Sequence, residues 1–218
     1  MEAWRQQQEE VERRTEREAS LTVTKKMRDT YRSALKRLEE LDEIVLPNDH
    51  AGLARKIVLR RYHPAVYASI QGGLPGSGRS TITISLLTGN VEIMIFETKA
   101  APMPTEAMTE AYAHELLHAL VTGRDEEETH RLSNLVMGIK DDDYPARKKW
   151  TVDLQELLLR GEEDPSYLDV LSGRVSKQDA REARWRLLWK ARRVLQGWDR
   201  ESIASLNDAW ITLREMVD

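Results

Sequence analysis

Over residues 81–120 the hydrophobic period of this chain changes from two to 3.6, and that change restricts the fold more than any other feature. Thr81, Ile82, Thr83, Ile84, Ser85 and Leu86 alternate, and so do Val91, Glu92, Ile93, Met94, Ile95 and Phe96, with Thr88, Gly89 and Asn90 as turn residues between them. Strand side chains point alternately to two faces, so this pattern predicts a β-hairpin. Pro102 and Pro104 end the extended run, Thr105 is read as an N-cap, and Glu106 places negative charge in the first turn of a helix. Ala107, Met108, Ala111, Leu117, Ala119 and Leu120 are good helix formers, and Gly123 is the stop.

The last turns of that helix carry His114-Glu115-Leu116-Leu117-His118, an H-E-x-x-H motif. Residues four apart share a helix face, so both imidazoles can meet one metal ion while Glu115 reaches a water bound to it. Burying two His and a Glu without partners is costly, and a divalent metal with its water would satisfy all three. The plainer reading is a His pair that bonds to backbone or faces solvent. Motif and context together favour the metal.

Elsewhere the chain is mostly helical. Residues 3–20 are almost entirely polar and read as a solvated helix or a frayed arm. Met27, Tyr31, Ala34, Leu35, Leu38, Leu41 and Val45 recur at helical spacing before Pro47, and Leu53, Ile57 and Val58 suggest a shorter helical stretch before Pro64. After Gly123 an acidic opening precedes Leu132, Leu135, Val136 and Ile139. An Asp141-Asp142-Asp143 loop leads to short helices at about 151–160 and 165–172. Two longer helices finish the chain, one opening with a Ser176/Asp179 capping box and carrying Trp185, Leu188, Trp189 and Leu195, the other following Asp199 with Leu206, Trp210 and Leu213. The expected architecture is α+β, mostly α: an N-terminal helical segment at 1–46, a core at 47–140 holding hairpin and motif helix, and a C-terminal helical region at 141–218.

With 218 residues the chain can bury a sizeable core without staples, and it has no Cys. Cysteine-held zinc, thiol nucleophiles and disulfides are thereby excluded, leaving His and carboxylate as metal ligands. A net charge of −4 argues against a protein that coats nucleic acid with its whole surface. No basic segment followed by an apolar run stands near Met1, and no stretch is apolar for long enough to span a bilayer. A cytoplasmic protein with no membrane partner is expected.

A catalytic zinc needs a third protein ligand and an open position. Only Gly123 and Arg124 separate the motif helix from the next, so the two should form an antiparallel hairpin that brings Glu127, Glu128 or His130 near His118. At roughly 100° per residue, Glu128 falls within about 30° of the direction set by Leu132, Leu135, Val136 and Ile139, and His130 points nearly the other way. Glu128 is the favoured third ligand. His130 stays open, because the angle assumes that the apolar stripe faces the motif helix.

At this point the chain resembles the zincin metallopeptidases, in the gluzincin-like pattern that completes H-E-x-x-H with a Glu from the following helix. The hairpin just before the motif helix is similar to that family, whose edge strand borders the cleft and pairs with an extended substrate. Arg124 stands where the metzincin pattern has its third His. In size and layout the chain is similar to small intracellular zincins, of the kind that cleave repressors or travel with phages and mobile elements. The resemblance covers about residues 80–140. It implies a Zn²⁺-dependent peptidase acting on a protein or peptide, with His114, His118 and Glu128 as ligands and Glu115 as general base. For the oxyanion-stabilising group Tyr112, Tyr144, His130 and Arg131 all remain open.

Two other patterns compete for a role. Gly73 to Ser80 has phosphate-loop spacing with Arg79 in place of Lys, but such a loop should enter a helix and the residues that follow alternate like a strand. A flexible connection fits better. Residues 174–200 hold nine Lys or Arg against three Asp or Glu, with Trp185, Trp189 and Trp198 interleaved. That composition can bind nucleic acid, yet Trp185 and Trp189 four apart among leucines read more simply as a packing stripe. The alternative to an enzyme is therefore a zincin-like interaction protein that uses these basic, Trp-rich helices to hold a protein or nucleic acid.

Overall fold

A three-stranded sheet stands at the centre of the computed structural model, which describes residues 2–66, 79–122, 126–139 and 166–196. Strands β2 (Ser80–Ile84) and β3 (Val91–Phe96) form the expected antiparallel hairpin, with Ile82 opposite Ile93 and Ile84 opposite Val91. The turn needs Gly89 twice over: its φ is 69°, and a Cβ there would come within 2.4 Å of the Lys177 carbonyl oxygen.

The third strand corrects the sequence reading. Val58–Tyr62 is a strand, β1, lying parallel to β3 in the order β1-β3-β2, and only His50–Arg55 before it is helical (α3). Arg60 and Arg61 disguise its period. Both are neutralised by the sheet itself, Arg60 by Glu92 at 3.0 Å and Arg61 by Glu97 at 2.8 Å.

The front face of the sheet, with Ile82, Ile84, Val91, Ile93 and Ile95, joins a core to which helix α4 (Thr105–Leu120) contributes Met108, Tyr112, Leu116 and Leu117. Helix α2 (Lys25–Glu39), capped by Thr24 accepting the Met27 N–H, packs on α4 through the same core with Met27, Tyr31, Ala34 and Leu38. Helix α5 (Glu126–Val136) packs on α4 as the short connection requires. Thr105 is the first helical residue of α4 rather than its cap, a place taken by Pro104.

The back face is covered by α1 (Glu2–Ala19), a helix with no buried residue that is fastened to the sheet by side-chain contacts rather than frayed. Glu12 accepts hydrogen bonds from the Ser85 hydroxyl at 2.9 Å and the Leu86 N–H at 3.2 Å, and Glu16 pairs with Arg60 at 2.8 Å. Trp4 sits against Trp185 and Trp189 with ring centroids 5.6 and 5.4 Å apart. These two belong to α7 (Lys177–Gln196), where Trp185 is only 5% exposed. Trp185 and Trp189 thus serve packing. Helix α6 (Tyr167–Ser172) opens with a capping box between Ser166 and Asp169 and stops at Gly173 with φ 79°.

The arrangement is α+β and mostly helical, and no helix among the described residues is long and apolar enough to cross a membrane. The expected helices at 151–160 and after Asp199, together with Gly73 to Gly78, Gly123, Arg124, Asp141 to Asp143, Tyr144 and Trp198, lie outside the described residues.

Candidate metal centre

Three side chains of α4 and two elements beside it build the site. The helix is apolar over most of its surface, so His118, at 6% exposure, and Glu115, at 4%, are held in the protein rather than in water. The two imidazoles approach edge to face, with centroids 4.7 Å apart at 81° and Nε2 atoms 3.1 Å apart. Two nitrogens bound to one tetrahedral zinc at about 2.0–2.1 Å stand about 3.3–3.4 Å apart. The pair is therefore set within a few tenths of an ångström of that bite. Without an ion, one Nε2–H donated to the other Nε2 accounts for the same contact.

Glu115 is oriented by the hairpin. Ser80, the first residue of β2, donates its hydroxyl to Glu115 Oε1 at 2.7 Å, a short charge-assisted bond. The carboxylate thus lies between the motif helix and the outer strand. Farther along β2 that outer side is in use: Arg79 O and Ser85 N–H bond to β3, so the even-numbered residues turn outward, and Ile82 O accepts the Tyr167 hydroxyl at 3.2 Å.

The third-ligand candidates separate differently from the helical-wheel reading. The buried face of α5 is centred on Thr129, Leu132, Ser133 and Val136. Glu128 and His130 therefore lie on opposite shoulders of the helix, about 100° either side of Thr129. Leu135 is only half-buried while Thr129 and Ser133 are buried, which rotates the true face away from the apolar stripe. The His130 ring packs against His114, centroids 4.3 Å apart at 50°. The Glu128 carboxylate instead takes both Nε and Nη2 of Arg131 at 2.8 and 2.7 Å, and its side chain is 43% exposed. That hydrogen-bonded guanidinium holds Glu128 below the usual carboxylate range. The structure thus corrects the orientation assumed for the two residues: it brings the alternative, His130, to the imidazole pair. The Glu127 side chain lies outside the described residues.

As the side chains stand, no three His, Asp or Glu among the described residues are arranged to hold an ion. Of the four residues considered for the oxyanion, His130 is beside the pair. Tyr112 is buried in the core edge-on to Tyr31 at 5.4 Å, where burial pushes its hydroxyl to a raised pKa, and Arg131 holds Glu128. Ser80 and Thr129 are polar neighbours of the motif that no spacing rule marks. Thr129 is buried with its hydroxyl 3.4 Å from His118 Nδ1 and paired with the Thr122 hydroxyl. Compared with known proteins, the chain matches no family model, no curated protein and no solved structure.

Proposed function

We propose that this chain is a zinc-dependent peptidase, with His114, His118 and a third donor from α5 as ligands and Glu115 as general base. The observation that carries the reading is the His114/His118 Nε2 pair at 3.1 Å beside a buried Glu115 held at the start of an outer strand. The donor set suits the ion: imidazole nitrogens are preferred zinc ligands, and in a chain without Cys only His and carboxylate are available. His130 is the third donor we favour, since its ring lies tilted against that of His114 with centroids 4.3 Å apart. When bound, the zinc would acidify a water and polarise the scissile carbonyl.

The chain's own residues divide the remaining work. Ser80 fixes Glu115 through Oε1, and the carboxylate takes the proton of the attacking water. Glu115 then returns that proton to the leaving amine. Burial keeps the carboxylate short of solvent, so its proton goes to the reacting groups rather than to bulk water. The start of β2 beside Glu115 is where an extended peptide would lie.

The test pairs metal analysis with proteolysis. Purified wild type should carry about one equivalent of zinc. Glu115→Gln should keep the zinc and the fold while losing hydrolysis, because Gln hydrogen-bonds a water but accepts no proton. Both are incubated with lysate of the source cell, and the cleavage products are compared by mass spectrometry. Identical products from the two proteins, with zinc in both, would sink the peptidase reading.

A further inference from the structure

We infer that the exposed face of α2 is a docking surface for duplex nucleic acid, which it holds through the phosphates. The metal centre takes no part in this contact.

Helix α2 buries Met27, Tyr31, Ala34 and Leu38 in the core and presents Lys25, Lys26, Arg28, Arg32, Lys36 and Arg37 to solvent. At roughly 100° per residue, Lys25, Arg32 and Lys36 lie within about 20° of a single line on the outward side, and Arg28 stands on one shoulder. The side chains of that line are 86%, 73% and 74% exposed. Three carboxylates oppose the six cations. Asp29 serves both Lys25 and Arg32, at 2.5 and 3.0 Å, Glu40 takes Lys36 at 3.5 Å, and Glu39 is engaged by His50. Among the described residues Lys26, Arg28 and Arg37 meet no carboxylate; they reach the Met103 carbonyl, the Val23 carbonyl and the Met137 sulfur. The helix gains nothing from the placement, since Lys25 and Lys26 stand in the first turn, where the dipole disfavours cations, and no acidic residue offsets them there. In a chain of net charge −4, this face concentrates positive charge that the fold does not use.

The chemistry of the face selects its partner. A protein interface has an apolar or aromatic centre inside its polar rim, and no fully exposed position of α2 holds an apolar residue. A bilayer takes up a free apolar helix face, and that of α2 is spent in the core. Single strands are held by stacking on aromatic rings, and Tyr31, the aromatic residue of α2, is buried edge-on to Tyr112. A row of charge is left. Lys25, Arg28, Arg32 and Lys36 follow one another at three, four and four residues, so their positions step by about 4.5–6 Å along the helix axis. Long, mobile side chains fit such a row to the phosphates of a duplex, a contact that is independent of base sequence.

The experiment follows binding of the full chain to a fluorescent DNA duplex of about 20 base pairs by anisotropy, between about 50 and 200 mM salt. Four phosphate contacts predict a slope of log K on log salt of about −3.6, and a loss of affinity on the order of 100-fold across that range. A triple variant carrying Lys25→Gln, Arg32→Gln and Lys36→Gln should reduce the slope to about −1 and the loss to about threefold. Its urea midpoint should stay near wild type, because the three positions are exposed and Gln is a good helix former. Asp29→Asn removes the carboxylate that Lys25 and Arg32 share and should bind the duplex more tightly than wild type. Wild type that does not bind duplex at the lowest salt would overturn the inference. A folded triple variant that keeps the wild-type slope overturns it too, since the duplex then sits on another surface. So does tighter binding to a single strand of the same length, or to vesicles rich in phosphatidylserine, than to the duplex. Should the triple variant not fold, Asp29→Asn that binds no more tightly than wild type is equally decisive against it.

Discussion

The two faces of the sheet are held by opposite chemistry. On the front, isoleucines and valine of β2 and β3 meet the apolar side chains of α4, and the polar groups present are His114, Glu115 and His118 with their neighbours. On the back, α1 is fastened by carboxylates. Glu12 reaches Ser85 and Leu86, Glu16 and Glu92 share Arg60, and Arg184 of α7 is buried close enough to Glu12 for their charges to interact. Burial raises the pKa of both Glu12 and Glu92 and lowers that of Arg184, each in the direction that disfavours its charge. The contrast teaches where polarity carries chemistry and where it carries assembly. Front polar groups interrupt an apolar surface, whereas back polar groups are the docking contacts themselves.

The contrast is most directly broken at Glu115. On the proposed function, Glu115→Gln should lower hydrolysis about 10²- to 10⁴-fold with little change in urea midpoint. A stability loss as large as the activity loss would make Glu115 a structural residue like those of the back face. Arg60→Leu should do the reverse, leaving zinc content unchanged while destabilising the fold by about 3 kcal/mol, because it strands Glu92 at 1% exposure. This is the low end of the cost of breaking a buried pair, since Arg60 itself is 29% exposed. A midpoint equal to wild type would show that the back-face pair is dispensable.

Ser80→Ala removes the bond to Glu115 Oε1 and should lower kcat about tenfold, as expected of a hydrogen bond to a charged group. Ser80→Thr should restore most of it, and an unchanged rate would mean that Glu115 is positioned by its burial alone. A smaller effect is expected at Glu12. Burial pushes its carboxyl above the ordinary value of 4.5, so the folded chain keeps the proton to higher pH than the unfolded chain. The stability belonging to the protonated form is complete below about 4.5 and lost as pH rises through the folded value. Glu12→Gln abolishes that loss, so its urea midpoint should improve relative to wild type between pH 4.5 and 7; a constant difference would show that Glu12 does not titrate there. Smallest of all is Tyr112→Phe. That buried hydroxyl has no hydrogen-bond partner among the described residues, and its removal should change stability by less than about 0.5 kcal/mol.

Where an element announces itself by a repeating apolar pattern or by turn and cap residues, the chain is readable directly. The hairpin around Gly89, the α4 motif helix and the Ser176 cap all follow from local stereochemistry. Strand β1 was hidden because Arg60 and Arg61 interrupt its pattern with charge that only partners at Glu92 and Glu97 can absorb. The docking of α1 was hidden for the same reason, since its contacts are carboxylates and Trp4, which read in isolation as a wet surface.

In the candidate site the division falls inside α5. That His114 and His118 share a face follows from the helical repeat alone, because the 3.6-residue period is set by the helix's own backbone conformation. Which side of α5 meets them does not, because a helix in a hairpin is rotated by whatever packs best across its whole length. Buried Thr129 and Ser133 outvote the half-buried Leu135, turning His130 toward His114 and leaving Glu128 to Arg131. Their polarity is tolerated at the interface because a hydroxyl can be satisfied there, Thr129 by Thr122 and Ser133 by the His130 carbonyl, and no apolar scale applied to one strand of sequence contains those partners.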